Sequence, residues 1–308
     1  MERSKKKKVL NSFAIGIAVV LVLYLISLFV PVLWALMTTL KSNDEFEGGL
    51  VGSVYYEANK LWWPRHGATL KNYVNAYKNF YIIVPSSKPG SLGIPFYIFD
   101  QFANSLLYSV GCSITVTTAS LVMAYAAARY TYRMSSWIYT FALLALALPI
   151  VGSLPSEIAV SQQLGLYDTF LGLWIMRGNF LNTYFLIFFA QFKMIPRDYT
   201  EAAKIDGAHP FTIMTKIIFP LAGGTIATVL VLAFIGYWND FQIPMVYLPS
   251  HPVAAYGMYR IQIAAETEWS SVPSQTAGVL IMALPIIVFY GIFNRRLNVN
   301  LSVGGIKG

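Results

Sequence analysis

Six long apolar stretches, at about 9–37, 102–128, 136–159, 169–193, 221–247 and 275–293, dominate the chain and constrain it more than any other feature. About 20 apolar residues in a helix cross the hydrocarbon core of a bilayer. Within that core every backbone N–H and C=O must find its partner inside the segment, so such runs become helices. Composition agrees: 56% of the 308 residues are hydrophobic and 12% charged, where soluble domains carry about a quarter charged residues. The expected fold class is an all-α integral membrane protein with six transmembrane helices.

The basic opening, Arg3 and Lys5 to Lys8, resembles the start of a signal peptide. The apolar run behind it is too long, however, and ends at Thr38, Thr39 and Lys41 without a small-residue cleavage site. The expectation is a cytoplasmic basic segment at 1–8, an uncleaved first span within 9–40 and an extracytoplasmic loop at 41–100. A net charge of +8 could suggest nucleic acid, but the placement of Lys and Arg argues against it. Fourteen fall on the cytoplasmic side of the six-span topology and eight outside, six of those eight in the long first loop, which weighs little in the positive-inside rule. Charge here reports topology, with both ends inside. The single Cys112 excludes an internal disulfide, and His66, His209 and His251 are scattered, so no metal site is expected. The sequence holds no Gly-x4-Gly-Lys-Ser/Thr phosphate loop, so no fused ATPase is expected.

Polar residues inside apolar surroundings mark a path. Pro149, Gly152 and Pro155 must kink or break the third span near its outer end, and freed backbone groups are tolerated at depth only inside protein or beside water. The fourth span carries Arg177-Gly178-Asn179, Asn182 and Tyr184. Arg177 either snorkels to the outer interface or faces an aqueous path, and both readings stand. The fifth span holds Tyr237-Trp238-Asn239-Asp240-Phe241 in its outer half, a mix of amide, carboxylate and rings that suits recognition of hydroxyl-rich ligands. The loop at 41–100 is rich in Tyr55, Tyr56, Trp62, Trp63, Tyr73, Tyr77, Phe80 and Tyr81, which suit a membrane-interface belt first and a sugar-stacking surface second.

One polar, helix-forming segment, 196–220, lies between two apolar runs. Pro196 ends the preceding span, and Asp198, Thr200 and Glu201 crowd the first turn of a helix, where unpaired N–H groups favour them. Gly207 sits where a left-handed C-terminal cap is needed, and Pro210 suits the first turn of a second helix running to about Phe219 and stopping at Pro220. Ala202, Ala203 and Ala208 are small enough for the turn to lie flush on a partner, and Phe211, Ile213, Met214 and Ile217 offer an apolar face.

Glu201-Ala202-Ala203, three residues, Gly207, nine residues, Ile217, one residue, then Phe219-Pro220 resembles the EAA loop of permease subunits in binding-protein-dependent ABC importers; Phe219 departs from the family's Leu. Trp238-Asn239-Asp240-Phe241, the segment Thr69 to Tyr73 after Trp63-Pro64, and the tail Gly304 to Gly308 resemble the carbohydrate branch, in particular the second maltose-type permease subunit. The resemblance implies the type I importer (MetI-like) fold: a core permease domain at 101–295 with five spans, and a cytoplasmic tail at 296–308. It implies that Glu201, Ala202, Ala203, Asp206, Gly207, Phe211, Met214 and, in the tail, Lys307 meet an ATPase. Arg177, Asn179, Asn182, Tyr184, Tyr237, Trp238, Asn239 and Asp240 would line the path of a carbohydrate or, as the alternative within the family, of a non-sugar solute. The implied partners are a second homologous permease subunit, two ATPase subunits that hold ATP and Mg, an extracytoplasmic solute-binding protein, and the lipid of a bacterial or archaeal cell membrane. No cofactor and no catalytic residue are expected in this chain. A secondary transporter would need ionisable residues in several spans or an internal repeat, neither of which the sequence shows. An integral membrane enzyme would need a nucleophile or acid pair, and only Asp240 and Arg177 lie at depth.

Overall fold

The computed structural model describes residues 2–51, 54–85, 93–130, 133–148, 152–263 and 271–301. Lys307 and the Gly-rich tail, like Pro149, lie outside them. The chain divides into two units, Met1–Phe80 with Arg260–Ile281, and Tyr81–Tyr259 with Met282–Gly308.

The spine of the first unit is α1 (Glu2–Thr39). Its apolar part, Ala14–Thr39, is long enough to cross a bilayer and is not buried inside the chain until Thr38 and Thr39 at its end. Large side chains from Ile15 to Leu36 are exposed around the helix, a surface stable only in lipid or against another chain. Past its end come α2 (Asn43–Glu47), the hairpin β1 (Gly49–Val51) and β2 (Val54–Tyr56), and α3 (Lys71–Asn79). Two charges are buried there. Lys41 donates from Nζ to the Asn59 carbonyl at 2.9 Å. Glu45, 1% exposed, accepts from Asn59 Nδ2 at 2.7 Å and from the backbone N–H of Arg65 at 2.6 Å and of His66 at 3.4 Å. Burial pushes the Lys41 ammonium down, with nearby Glu45 opposing it. Burial alone would raise Glu45; the donors from Arg65, Asn59 and His66 outweigh it and hold the carboxyl below its ordinary value. Asn72 closes the network, donating to the carbonyls of Thr39 (2.8 Å) and Lys41 (2.6 Å) and accepting from Ser274 Oγ (3.2 Å). The Asn-Tyr segment is therefore a fastener for the loop, while Tyr55, Trp62 and Trp63 stay exposed.

The second unit opens with the antiparallel pair β3 (Tyr81–Val84) and β4 (Ile94–Tyr97), then α4 (Ile98–Arg129). Ser105, Ser109, Cys112, Ser113, Thr117, Ser120 and Ala124 are among the buried residues of α4. Small residues let neighbouring backbones approach, which matters in lipid, where packing rather than water exclusion drives association. Three helices use this surface: α7 (Phe170–Arg177), α8 (Thr183–Met194) and α12 (Gly223–Trp238). Trp174 of α7 lies so close over Gly111 that an added Cβ would stand 2.0 Å from its indole nitrogen, and the indole donates to the Leu107 carbonyl at 3.1 Å. One apolar cluster gathers Tyr125, Phe185, Phe188, Phe192, Ile213 and Ile218, and a second gathers Tyr108, Cys112, Leu173, Tyr247 and Val253.

The apolar runs map unevenly onto helices. Among the described residues three are long enough to cross unbroken: Ala14–Thr39, Ile98–Arg129 and Val272–Ile292, the last within α15 (Val272–Leu301). The run at 136–159 divides into α5 (Arg133–Ala147) and α6 (Leu154–Gln163). The run at 169–193, expected as one span, is also two helices, α7 and α8. Between 196 and 220 lie α9 (Asp198–Ile205), α10 (Pro210–Thr212), a π-helical turn (Ile213–Ile218) and α11 (Phe219–Leu221). The second helix of this segment therefore does not stop at Pro220: the wide turn ahead absorbs the missing N–H, and the chain bends by 76° at Ala222 into α12. Nor does the fifth span reach Tyr247; it ends at Trp238, and α13 (Gln242–Tyr247) is separate, followed by α14 (Ala254–Ile263).

Candidate transport path and docking surface

Gly178 interrupts the fourth apolar run, and Asn182 restarts it. Asn182 Oδ1 accepts from the N–H groups of Tyr184 (2.9 Å) and Phe185 (3.2 Å), capping α8. Its Nδ2 donates to the Asn179 carbonyl (2.8 Å) and to Ser120 Oγ on α4 (3.0 Å). Every hydrogen-bonding site on this amide is spent, so Asn182 holds the break together. Asn179 is exposed, and Tyr184 is half-buried against the Phe185 cluster.

At the other lip of the break, Arg177 meets Glu157 of α6, Nη2 to Oε2 at 3.4 Å. Tyr247 donates to the same oxygen at 3.1 Å while its ring lies 5.6 Å from the guanidinium carbon. Ser153 Oγ lies 2.9 Å from the other oxygen, Oε1. Arg177 thus turns to a partner. Glu157, Tyr247 and the break were not singled out from sequence; the signal available was an acid inside one apolar run and an arginine inside the next.

The fifth-span motif scatters. Trp238 is 2% exposed, packed near Phe102 and Phe234, with its indole donating to the Met282 carbonyl at 3.1 Å. Its polar atom faces protein. Asn239 is exposed and donates to the Ile235 carbonyl (2.9 Å). Asp240 accepts from Tyr108 Oη at 2.8 Å through one oxygen, and through the other from the N–H groups of Gln242 (3.0 Å) and Ile243 (3.2 Å), starting α13. Tyr237 stands edge-on to Tyr108 at 5.6 Å. The structure brings together Arg177, Glu157 and Tyr247, and separately Tyr237, Tyr108 and Asp240. Tyr108, Tyr237, Tyr247 and Ile158 belong to one packed cluster.

The second feature is the knob at 196–221. α9 starts at Asp198 with Glu201 in its first turn. Gly207 has φ +77°, and the N–H of Gly207 donates to Lys204 (3.1 Å) and that of Ala208 to Ala203 (2.9 Å), closing the turn. His209 Nδ1 accepts from the Phe211 N–H at 3.3 Å, capping the helix that begins at Pro210. Arg129, at the end of α4, bonds the carbonyls of Ile195 (2.8 Å) and Pro196 (3.3 Å) and Thr200 Oγ1 (3.0 Å), fixing the base. The apolar face expected to point outward points in: Ile213 is 1% exposed, and Met214 and Ile217 pack on the Phe192 cluster. Ala203 is buried with them. What remains outside is Glu201, Ala202, Asp206 and Gly207, with Phe211 at 64% exposure and Ile205, absent from the sequence reading, at 86%. Among the described residues no group of three His, Cys, Asp or Glu could hold a metal ion.

Residues 101–300 match the family described as binding-protein-dependent transport system inner membrane component. The chain is 30% identical over 259 residues to a probable ABC transporter permease protein of Pyrococcus horikoshii, covering 81% of this chain and 87% of that one. It is 30% identical over 217 residues to the trehalose transport system permease protein SugB of Mycobacterium tuberculosis, covering 68% and 78%. Among solved structures, a bacterial ABC transporter involved in import of the acidic polysaccharide alginate superposes with a TM-score of 0.68 over 92% of this chain and 96% of that one, at 20% identity, and so shares the fold. The chain belongs to the family of inner membrane components of binding-protein-dependent transport systems: it is an ABC transporter permease subunit, a transport component and not an enzyme.

Proposed function

We propose that this permease subunit carries a carbohydrate across the cell membrane through six crossings, the third and fourth each built from two shorter helices, with both termini in the cytoplasm. Several relatives at modest identity carry sugar transport in their names: besides the trehalose permease, a diacetylchitobiose uptake permease of Streptomyces coelicolor is 25% identical over 295 residues, and an arabinooligosaccharides permease of Halalkalibacterium halodurans 26% identical over 224. The path runs by the break at Gly178, where non-helical backbone at membrane depth calls for a protein-lined, water-filled space. Arg177, Asn179, Tyr237, Asn239 and Asp240 border it, Glu157 joins them, and Asn182, Tyr184 and Trp238 support it from behind.

The knob is the contact for an ATPase. The observation that supports this reading most directly is its two-sidedness: Ala203, Ile213 and Ile218 root it, while Ile205 and Phe211 stand bare beside Glu201 and Gly207. Exposed apolar residues on a fixed polar turn suit insertion into a groove. This chain would bind no nucleotide; ATP and Mg would sit in two partner ATPase subunits, with Lys307 of the tail as a further contact. A second, homologous permease and an extracytoplasmic binding protein complete the assembly. The test is mass spectrometry of whatever copurifies with the tagged chain after gentle extraction: an ATPase and a second permease in stoichiometric amounts are expected, and the chain alone would contradict the reading.

A further inference from the structure

We propose that the Glu157–Arg177 pair makes the path selective for neutral over acidic saccharides. This rests on reading the break at Gly178 as the path.

Glu157 is heavily served, with Arg177 and Tyr247 on Oε2 and Ser153 on Oε1. Arg177 is not. A guanidinium has five N–H donors, and here a single long contact of 3.4 Å reaches the carboxylate, while Nε is enclosed without a partner. The pair therefore has no net charge but keeps unspent donors. Its side chains are 21% and 36% exposed, so a ligand can reach them.

A neutral sugar needs only this. Its hydroxyls accept from the guanidinium while Glu157 remains paired. A carboxylate ligand meets a guanidinium whose charge Glu157 already offsets, and gains its full attraction only by displacing Glu157. If it wins, Glu157 gives up its cationic partner and keeps only the hydroxyl donors of Tyr247 and Ser153. The surroundings add to the penalty. Asp240, bonded to Tyr108 of the same cluster, has no basic side chain within ion-pair distance among the described residues and adds a second acid to the surroundings.

The test uses the complete transporter, permease pair with its ATPases, in nanodiscs. The binding protein is omitted, so that its own specificity does not filter the result. Binding is measured for a panel of di- and trisaccharides, each paired with its uronic-acid counterpart. The parent should prefer the neutral member of a pair. Glu157→Gln, which frees the positive charge, should move the acidic-to-neutral affinity ratio toward the acidic member by about tenfold or more. The double variant E157Q/R177Q, uncharged again, should return the ratio to near the parent value. A merely structural role would weaken both members equally and leave the ratio unmoved; that result, or a parent preferring uronic acids, overturns the inference while leaving the carbohydrate reading intact. A parent that binds no saccharide of either kind overturns both.

Discussion

Two of the helix breaks in the second unit, at Gly207 and at Gly178, are built in opposite ways. At Gly207 the chain turns where its groups can reach water. A left-handed φ of +77°, two backbone hydrogen bonds and a His209 cap complete it, and no atom stands within 4 Å of where a Cβ would be. At Gly178 the break lies between two apolar helices. There Asn182 has to spend its whole amide on Tyr184, Phe185, Asn179 and Ser120, and Arg177 has to find Glu157. A turn open to water needs only the right backbone; a turn packed between apolar helices takes its partners from side chains. The first can therefore be bare and functional on its outer face, whereas the second must be supported from behind.

The comparison can be broken most forcefully at Asn182. Replacing it with Leu strips the α8 cap and strands Ser120, and should cost about 2–4 kcal/mol, a cap and at least one buried polar group together. Thermal unfolding of the extracted chain checks this; a loss no larger than that of His209→Ala, the cap of the surface turn, would erase the distinction. Gly207→Ala should cost less, about 1–2 kcal/mol for the left-handed backbone alone, with insertion unchanged and uptake reduced. Glu201→Lys should change stability by under about 1 kcal/mol, since its side chain is exposed, yet abolish ATP-driven uptake. Uptake at the parent rate would remove the knob's role.

The buried carboxylate of the first unit gives the smallest effect. Glu45 holds its proton less tightly folded than unfolded, so its stabilisation is full above its ordinary pKa of 4.5 and is lost as pH falls through the lower native value. Acid titration of the extracted chain should show a transition in that range that Glu45→Gln removes; an unchanged transition would assign it to other groups.

What could be read from sequence follows the same division. Asp198, Glu201, Gly207 and Pro210 spell out the knob because each satisfies a backbone need locally. The direction of its apolar face was not legible: Ile213 and Ile217 turn inward where the helix widens into a π-helical turn at Ile213–Ile218, while Ile205, at the end of α9, is left outside. The break at Gly178 hid in a run that hydropathy reads as continuous. Its support comes from residues far away in the chain, Ser120 and Glu157, which no local pattern links to Asn182 and Arg177. The Trp238 motif was legible as a feature but not as a direction, since only packing shows that its indole faces Met282.

The central claim, that the knob meets an ATPase, can be measured through the chain's single cysteine. Cys112 is fully buried, so a cysteine placed at exposed Ile205 is the one available to a short thiol-reactive photocrosslinker in the native complex. The account predicts a cross-link to the ATPase subunit whose yield changes when ATP is added, and none from a cysteine at Tyr55 on the first unit's loop. A cross-link from Ile205→Cys only to lipid or to no protein, in a complex that still transports, would contradict it.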